Sequence, residues 1–422
     1  MEASKAATKV DCLVIGAGII GLSIAHELQK SGRQVLVIDK GEPGMGCSYG
    51  NAGWITPCFA MPLPQPGMFL KSIGWLLNPD SPLYIKPQPS WLLFRWMMGF
   101  LAAMNETRLR SAVAVLTDIS KYSLTFYKEL ADRAPQTFGF DQKGLLMVSK
   151  GEDGLRAAEI EMQLMQERGI PGKLLNGEEV SALEPALKPG LKGGVYFPSE
   201  AHSEPLETVK ALAREFEAAG GRIQTRTEVF DFGFEGSKIT EVATTRGVFK
   251  SDLIVLATGT WSYPMAKRLR VSVPILGGKG YSLITNSFET KPTHPIMIVE
   301  RKIAVTPRAD SVRLAGTLEL VNQDDSITSR RMNNILNGSQ EYMHMQKGPE
   351  VREIWRGLRP CTPDGVPMIG YSKRWSNLFY NVGHQMLGLQ SAPGSARLGA
   401  DLILGRSPIT DAKPFRPERF GG

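Results

Sequence analysis

The sequence predicts an α/β chain in which a Rossmann-like nucleotide-binding domain, assembled from separated segments, is joined to an antiparallel-sheet domain. Three observations carry this. A strand, a glycine turn and a helix open the chain; a buried strand running into a glycine turn returns at 251–259, and the full order again at 377–405; and a period-two pattern rich in Val, Ile, Thr and Tyr fills 273–320.

Asp11-Cys12-Leu13-Val14-Ile15 reads as a buried parallel strand, and Gly16-Ala17-Gly18-Ile19-Ile20-Gly21 follows directly, running into a helical pattern over 22–30. Gly16 permits the tight turn, Gly18 lets the backbone approach a pyrophosphate, and Gly21 lets helix and strand pack closely. The helix N-terminus then faces the phosphates. A second strand, 34–38, closes on Asp39 about 20 residues beyond the turn, where a carboxylate accepts ribose hydroxyls and disfavours a 2′-phosphate. Lys40 follows it. A second small-residue loop, Gly44 to Gly53, comes immediately after; with Ser48, Asn51, Ala52, Gly53 and its backbone N–H groups it suits a second phosphate and a flavin ring, whereas a nicotinamide enzyme usually goes straight to another helix.

From Trp54 to about Asn105 the composition shifts to Pro, Trp, Met and Leu, which reads as an inserted lobe over 54–105. Helical patterns fill 108–134 and 154–168, and strands are expected at 144–148 and 195–197. An amphipathic helix at 207–219 stops at Gly220-Gly221 before a strand at 222–225. A hairpin over 228–234 and 238–245 leads to the buried strand 251–256 and to Ala257-Thr258-Gly259. The antiparallel strands are expected at 273–276, 279–285, 296–300, 303–307 and 313–317, with a helix near 334–345. These stretches divide into a nucleotide-binding domain (8–53, 206–270 and 356–410) and a substrate domain (140–205 and 271–355), with an irregular tail from Arg406.

The 422 residues, 42% hydrophobic and 22% charged, exclude disorder, collagen and coiled coil. A net charge of +7 fits an anionic ligand or surface, but Lys and Arg are scattered, which argues against nucleic acid. Cys12, Cys47, Cys58 and Cys361 have no metal-ligand spacing and are too sparse for a disulfide framework, so no metal site and a reducing compartment are expected. No secretory signal is legible at the N-terminus, so the chain is expected in the cytoplasm. The 91–104 segment, apolar but holding Arg95, is too short to span a bilayer. Phe69, Trp75, Leu76, Leu77, Trp91, Leu92, Leu93, Phe94, Trp96, Met97, Met98 and Phe100, with Lys71, Lys86 and Arg95 among them, suit a bilayer interface, which predicts peripheral contact with the inner face of a bacterial membrane.

Five stretches together resemble the FAD-dependent D-amino acid oxidase and glycine oxidase family, and within it the bacterial D-amino acid dehydrogenases. They are Gly16 to Gly21, Asn51-Ala52-Gly53, Lys279-Gly280-Tyr281-Ser282, Trp355 to Gly365 and Gly383-His384-Gln385-Met386-Leu387-Gly388. The resemblance implies a non-covalent FAD, since Cys361 lies on the far side of Arg359-Pro360 from the position of the flavin-linked Cys of some relatives. It implies that Arg359 grips the substrate carboxylate, with Tyr281 assisting and Gln390 facing substrate. Gly383, His384, Met386, Leu387 and Gly388 would meet the pyrimidine edge of the flavin; Val229 would pack on adenine; and Ala257, Thr258, Gly259 and Trp261 would cross the pyrophosphate region.

The implied reaction is oxidative deamination of a small amino acid, with D-amino acids favoured. A hydride passes from Cα to flavin N5, and water hydrolyses the imine to an oxo acid. The glycine turn offers Gln385, Met386 and Leu387 in place of the cation that many dioxygen-using relatives carry near N5, so a quinone or respiratory chain is the expected acceptor. The alternative substrates are secondary amino acids: sarcosine, iminodiacetate or another N-substituted glycine, or hydroxyproline. For a dicarboxylate, Arg301, Lys302 or Arg308 would offer a second cation, although a solvated strand face is the plainer reading of all three, and His202 reads as a surface-loop histidine.

Overall fold

The structure is a computed structural model that describes residues 7–67, 83–85, 90–321 and 324–421. Phe69, Lys71, Trp75, Leu76, Leu77 and Lys86 lie outside the described residues.

Two sheets organise the chain. In the first, five parallel strands run in the order Arg222–Gln224, Val35–Ile38, Thr8–Ile15, Gly247–Leu256, Leu378–Val382. The antiparallel strands Val229–Glu235, Lys238–Thr244 and Met368–Tyr371 extend it. Every residue of Val35–Ile38 and Leu378–Val382 is buried, as near-continuous apolar runs require of a sheet covered on both faces. The helix Ile19–Lys30 lies in one covering layer between helices Pro205–Ala218 and Gly388–Ile403. The long helix Glu106–Arg133 joins this layer, because Gly394 brings the backbones together: a Cβ there would fall 2.0 Å from the Ile119 carbonyl oxygen. His26 inside this core is held neutral, its pKa pushed down to about 4 by burial.

The second sheet runs Val351–Cys361, Leu276–Thr285, Val312–Val321, Ile303–Pro307, Ile296–Ile298, Leu145–Ser149, Gly193–Phe197, Lys173–Asn176, antiparallel except where Ile296–Ile298 meets Leu145–Ser149. Leu83–Ile85 adds in parallel to Val312–Val321. The strands expected at 273–276 and 279–285 merge into one, Leu276–Thr285. Gly278 serves close packing and not a turn, since a Cβ there would come within 2.7 Å of Cys361 Sγ and Leu318 Cδ1. The strand expected to stop at Thr317 continues to Val321 through a β-bulge: Lys279 faces Glu319 and Tyr281 faces Gly316, leaving Gly280 opposite the two residues Thr317 and Leu318.

In its described residues the inserted lobe is built into the body. Trp54–Ile55 pairs with Ala201–His202, and helix Trp91–Ala103 packs Leu92, Trp96 and Phe100 against Leu276, Leu318 and Leu320. His202 is therefore buried in a strand, at 7% exposure, and not on a surface loop; burial lowers its pKa. In its described residues the tail beyond Arg406 holds two short 3-10 turns, Lys413–Phe415 and Pro417–Phe420, yet it is docked, with Arg419 2.7 Å from Asp364. All four cysteines are free thiols, and the described residues contain no cluster suited to a metal.

Candidate functional site

Thr8–Ile15 and Gly247–Leu256 are neighbours, and their carboxyl ends lead into Gly16 and Ala257. The chain leaves in opposite directions from these two strands, which opens a crevice where nucleotides settle in such sheets. Gly16 holds φ at 115°, and a Cβ on it would meet the Ala257 carbonyl oxygen at 2.5 Å, so only glycine fits this crossing. The cleft that starts here is walled by Gly16, Gly18, Ile19, Ile20, Asp39 and Lys40 on one side. Val229 and Ala257 to Trp261 form another wall, and Ser48 and Asn51 face Gly383, His384 and Gly388 at its far end.

Asp39 ends the second strand as the sequence predicts. Its Oδ2 accepts the Ala17 N–H at 2.7 Å and its Oδ1 the Gly41 N–H at 2.8 Å, bonds that work against a burial which raises its pKa. Lys40 Nζ lies 3.9 Å over the Trp261 ring, so the two residues close one rim of the cleft.

The first helix and the antiparallel sheet pin the second small-residue loop. Ser48 Oγ accepts the Ile19 N–H at 3.1 Å, and Cys47 donates its thiol proton to the Leu358 carbonyl. From the antiparallel sheet, Arg313 Nη1 donates to the Asn51 carbonyl at 2.6 Å and Thr306 Oγ1 to the Ala52 carbonyl at 2.7 Å. The Trp355 indole lies against Gly50, where a Cβ would come within 2.0 Å of the ring. The sequence reading missed Arg313 and Trp355; an Arg inside a buried strand was the available signal for the first.

At the far end the strand Leu378–Val382 feeds Gly383 and the helix Gly388–Ile403, whose positive N-terminal end borders the cleft. His384 is buried, its Nε2 3.1 Å from Ser395 Oγ, and burial pushes its pKa down to about 3. It is a neutral imidazole, unsuited to proton transfer near neutral pH. Asn381, which the sequence did not single out, and Gln385, which it placed in the glycine turn, both line the cleft wall and bury amide groups without protein partners: Oδ1 and Nδ2 of the first, Nε2 of the second. Such groups match a ligand with a polar, heteroaromatic edge, as a flavin has. Gly21, Ala52, Gly53, Met386 and Leu387 are not among the residues that line this cleft. In Gly21 the reason is packing, since a Cβ would meet the Gly16 carbonyl oxygen at 1.8 Å.

Arg359 leaves the strand Val351–Cys361 beside this cleft, next to Pro360, which lines it. Its guanidinium lies flat over Gly280, where a Cβ would fall 1.9 Å from Nη1, and that same nitrogen donates to the Thr317 carbonyl at 2.9 Å. Burial lowers its pKa, and the groups that act on it in the other direction are the thiols of Cys361 and Cys47. No carboxylate among the described residues pairs with it. Tyr281 is buried and its hydroxyl is engaged, donating to the Ser326 carbonyl and accepting the Thr328 N–H. Gln390 does not line the cleft. Its Nε2 donates to Phe59 O and Ser120 Oγ, and its Oε1 accepts the Thr56 hydroxyl. Arg301 and Arg308 are held by Glu341 and Glu204.

Comparison with known proteins agrees with this geometry. The family described as DAO, FAD dependent oxidoreductase, matches residues 11–402. The D-amino acid dehydrogenase of Vibrio atlanticus is 34% identical over 94% of this chain and 96% of its own length. That of Granulibacter bethesdensis is 31% identical over 97% of this chain and 99% of its own. Among solved structures, glycine oxidase from Geobacillus kaustophilus superposes with a TM-score of 0.79 over 98% of this chain and 100% of that one, at 22% identity. Iminodiacetate oxidase from Chelativorans sp. BNC1 does so with 0.75 over 96% and 98%, at 18% identity. The match across 11–402, on a chain whose glycine crossing, cleft-lining carboxylate and unpaired cleft amides suit a flavin dinucleotide, makes this protein a member of the DAO family of FAD-dependent oxidoreductases.

Proposed function

We propose that this chain is an amino acid dehydrogenase that holds its substrate by the carboxylate on Arg359 and oxidises the Cα–N bond, with D-amino acids preferred. The observation that carries the reading is the Arg359 guanidinium: half-buried, laid against Gly280, fixed on one side by Thr317, and without a carboxylate partner among the described residues. A planar fork of this kind takes a carboxylate in two parallel hydrogen bonds. The curated relatives named D-amino acid dehydrogenase, similar over nearly their whole length, support the substrate class.

In this reading the cleft residues from Asp39 to Gly388 would hold FAD, which would supply the two-electron acceptor for the Cα hydride. Arg359 fixes the carboxylate end, so that rotation about one axis remains to be restricted by the cleft walls. The N-terminus of Gly388–Ile403 and the amides of Asn381 and Gln385 stabilise negative charge that develops at the far end of the cleft. His384, neutral and tied to Ser395, orients and fills; it moves no proton. The substrate amine reacts in its neutral form, and water converts the released imine to the oxo acid and ammonia. Electrons then pass to a quinone or respiratory chain, with the protein peripheral on the inner face of the bacterial membrane. The exposed Trp91, Phe94 and Met98 support that position. No helix of the described residues is long and apolar enough to cross a membrane.

The test is anaerobic mixing of the yellow holoprotein with D-, L- and N-substituted amino acids, followed by air. Bleaching by D-amino acids with slow return of colour is the expected result. Bleaching only by N-alkyl glycines moves the protein to secondary amines, and no bleaching by any member overturns the reading. The engagement of Arg301 and Arg308 with Glu341 and Glu204 weighs against a dicarboxylate such as iminodiacetate.

A further inference from the structure

Helix Trp91–Ala103 is apolar on both faces. Leu92, Trp96, Phe100 and Ala103 are buried, while Trp91, Phe94 and Met98 stand 72%, 55% and 53% exposed on the other side. A helix apolar all round normally has both faces covered. Trp91 and Phe94 stack on each other, centroids 5.3 Å apart, in the open. Arg95 lies in the same outward stripe, four residues after Trp91 and three before Met98.

Arg95 also forms one wall of a recess whose other cations are Arg270, Lys373 and Arg374, drawn from two further stretches of chain. Their side-chain partners are neutral: Arg95 Nη2 donates to Ser272 Oγ at 3.2 Å, Arg270 lies over Phe234, and Arg374 lies over Trp375. Among the described residues, no acidic side chain lines the recess and none pairs with any of the four. Four like charges gathered around one hollow repel one another, and an anion placed among them removes that repulsion. The recess shares no lining residue with the nucleotide cleft.

We infer that this recess takes the anionic headgroup of a phospholipid while Trp91, Phe94 and Met98 enter the adjoining acyl boundary, so that one continuous face docks the protein on an anionic leaflet. The inference rests on the peripheral-membrane part of the function proposed above, and it names the lipid chemistry. Charge complementarity selects the occupant. A soluble anion would use the four cations and leave the aromatic stripe exposed, whereas an anionic amphiphile uses both.

The experiment is flotation of holoprotein with vesicles of phosphatidylcholine alone and of phosphatidylcholine mixed with phosphatidylglycerol, at low and high salt. Binding to the mixed vesicles only, weakened by salt, is expected. The double variant K373E/R374E should lower the partition coefficient at least about tenfold. W91A/F94A should do so as well, while both variants keep the wild-type flavin spectrum and the wild-type rate with a soluble dye acceptor. R95Q, on the opposite wall, provides a second reading of the recess should the double variant fold poorly. Equal flotation on phosphatidylcholine alone, or no effect of the charge changes, overturns the headgroup site but leaves membrane attachment standing. Absence of flotation, with inorganic phosphate raising the melting temperature of wild type but not of K373E/R374E, marks a free-anion site and overturns the lipid. Absence of both overturns the site altogether. Flavin bleaching by substrate is read separately, so failure here is distinct from failure of the proposed chemistry.

Discussion

Arg359 Nη1 donates to the Thr317 carbonyl across 2.9 Å, and Thr317 presents that carbonyl from a left-handed backbone with φ of 59°. A β-branched residue rarely adopts this conformation, and here it is imposed by the bulge that sets Thr317 and Leu318 opposite Gly280. Gly280 in turn leaves the space in which the guanidinium lies. Strand register, bulge and missing Cβ thus combine to aim one arginine fork.

Replacement of that fork separates its geometry from its charge. Arg359→Lys keeps a cation but offers a point charge in place of two parallel donors, and a charge-assisted bond of about 1.5–3 kcal/mol is lost or weakened. The expected result is a fall in kcat/KM of roughly a hundredfold, mostly through KM, with FAD content unchanged. Gly280→Ala should mimic it, because the new methyl occupies the place of Nη1. Anaerobic reduction traces across substrate concentration measure both; wild-type KM in either variant would remove Arg359 from substrate binding.

Thr317 carries a second consequence. Its hydroxyl is buried without a partner, and its backbone is strained. Thr317→Gly relieves about 1–3 kcal/mol of strain and gives back about 0.5–1 kcal/mol in unfolded-state entropy, so a net gain of about 1 kcal/mol is expected. Denaturant unfolding of the holoprotein measures it. A loss of stability would mean that the bulge is relaxed around threonine.

The nucleotide-binding layer was legible because its signals are local: Gly16 to Gly21, the strand ending at Asp39 and the turn at Gly383 each announce themselves within a few residues. What the sequence could not supply came from long-range pairing. Gly277-Gly278 fell between two expected strands because nothing nearby reveals that Cys361 and Leu318 crowd Gly278 from two neighbouring strands. His202 read as a loop residue because its strand partner, Trp54, lies far away in sequence. Arg313 and Asn381 escaped notice for the same reason: an isolated polar residue in an apolar run discloses its role only when the opposing wall is known. Gln390 shows the converse, since its position on the last helix was foreseen but not that Thr56, Phe59 and Ser120 would engage its amide.

Asp39 should govern cofactor affinity. Its two oxygens fix the N–H groups of Ala17 and Gly41, so they hold the glycine turn as well as facing the cleft. Asp39→Ala leaves both N–H groups without that acceptor, at about 1–3 kcal/mol. Titration of apoprotein with FAD, followed by flavin fluorescence, should give a Kd raised roughly 10- to 100-fold, with Asp39→Asn in between. An unchanged Kd would leave the carboxylate with a purely structural task.

Glu200 sets the alkaline limit of stability. Its carboxyl is fully buried, Oε2 accepts the Cys58 N–H at 3.4 Å, the Cys58 thiol donates to the carboxyl as well, and Oε1 has no partner; burial outweighs these bonds and pushes its pKa up to about 8. The folded pKa therefore lies above the unfolded value of 4.5. Between these two values the folded state binds more protons than the unfolded one, and stability falls as pH rises. The contribution is complete below the unfolded carboxylate range and is lost as pH climbs through about 8. Glu200→Gln carries no such proton. Its melting temperature should stay a few degrees above wild type at about pH 9 and come within about a degree of it at about pH 5. Thermal unfolding of the two holoproteins at both values decides the matter: parallel curves would mean that the carboxyl ionises in the folded protein without cost, and that a water or a rearranged donor reaches Oε1.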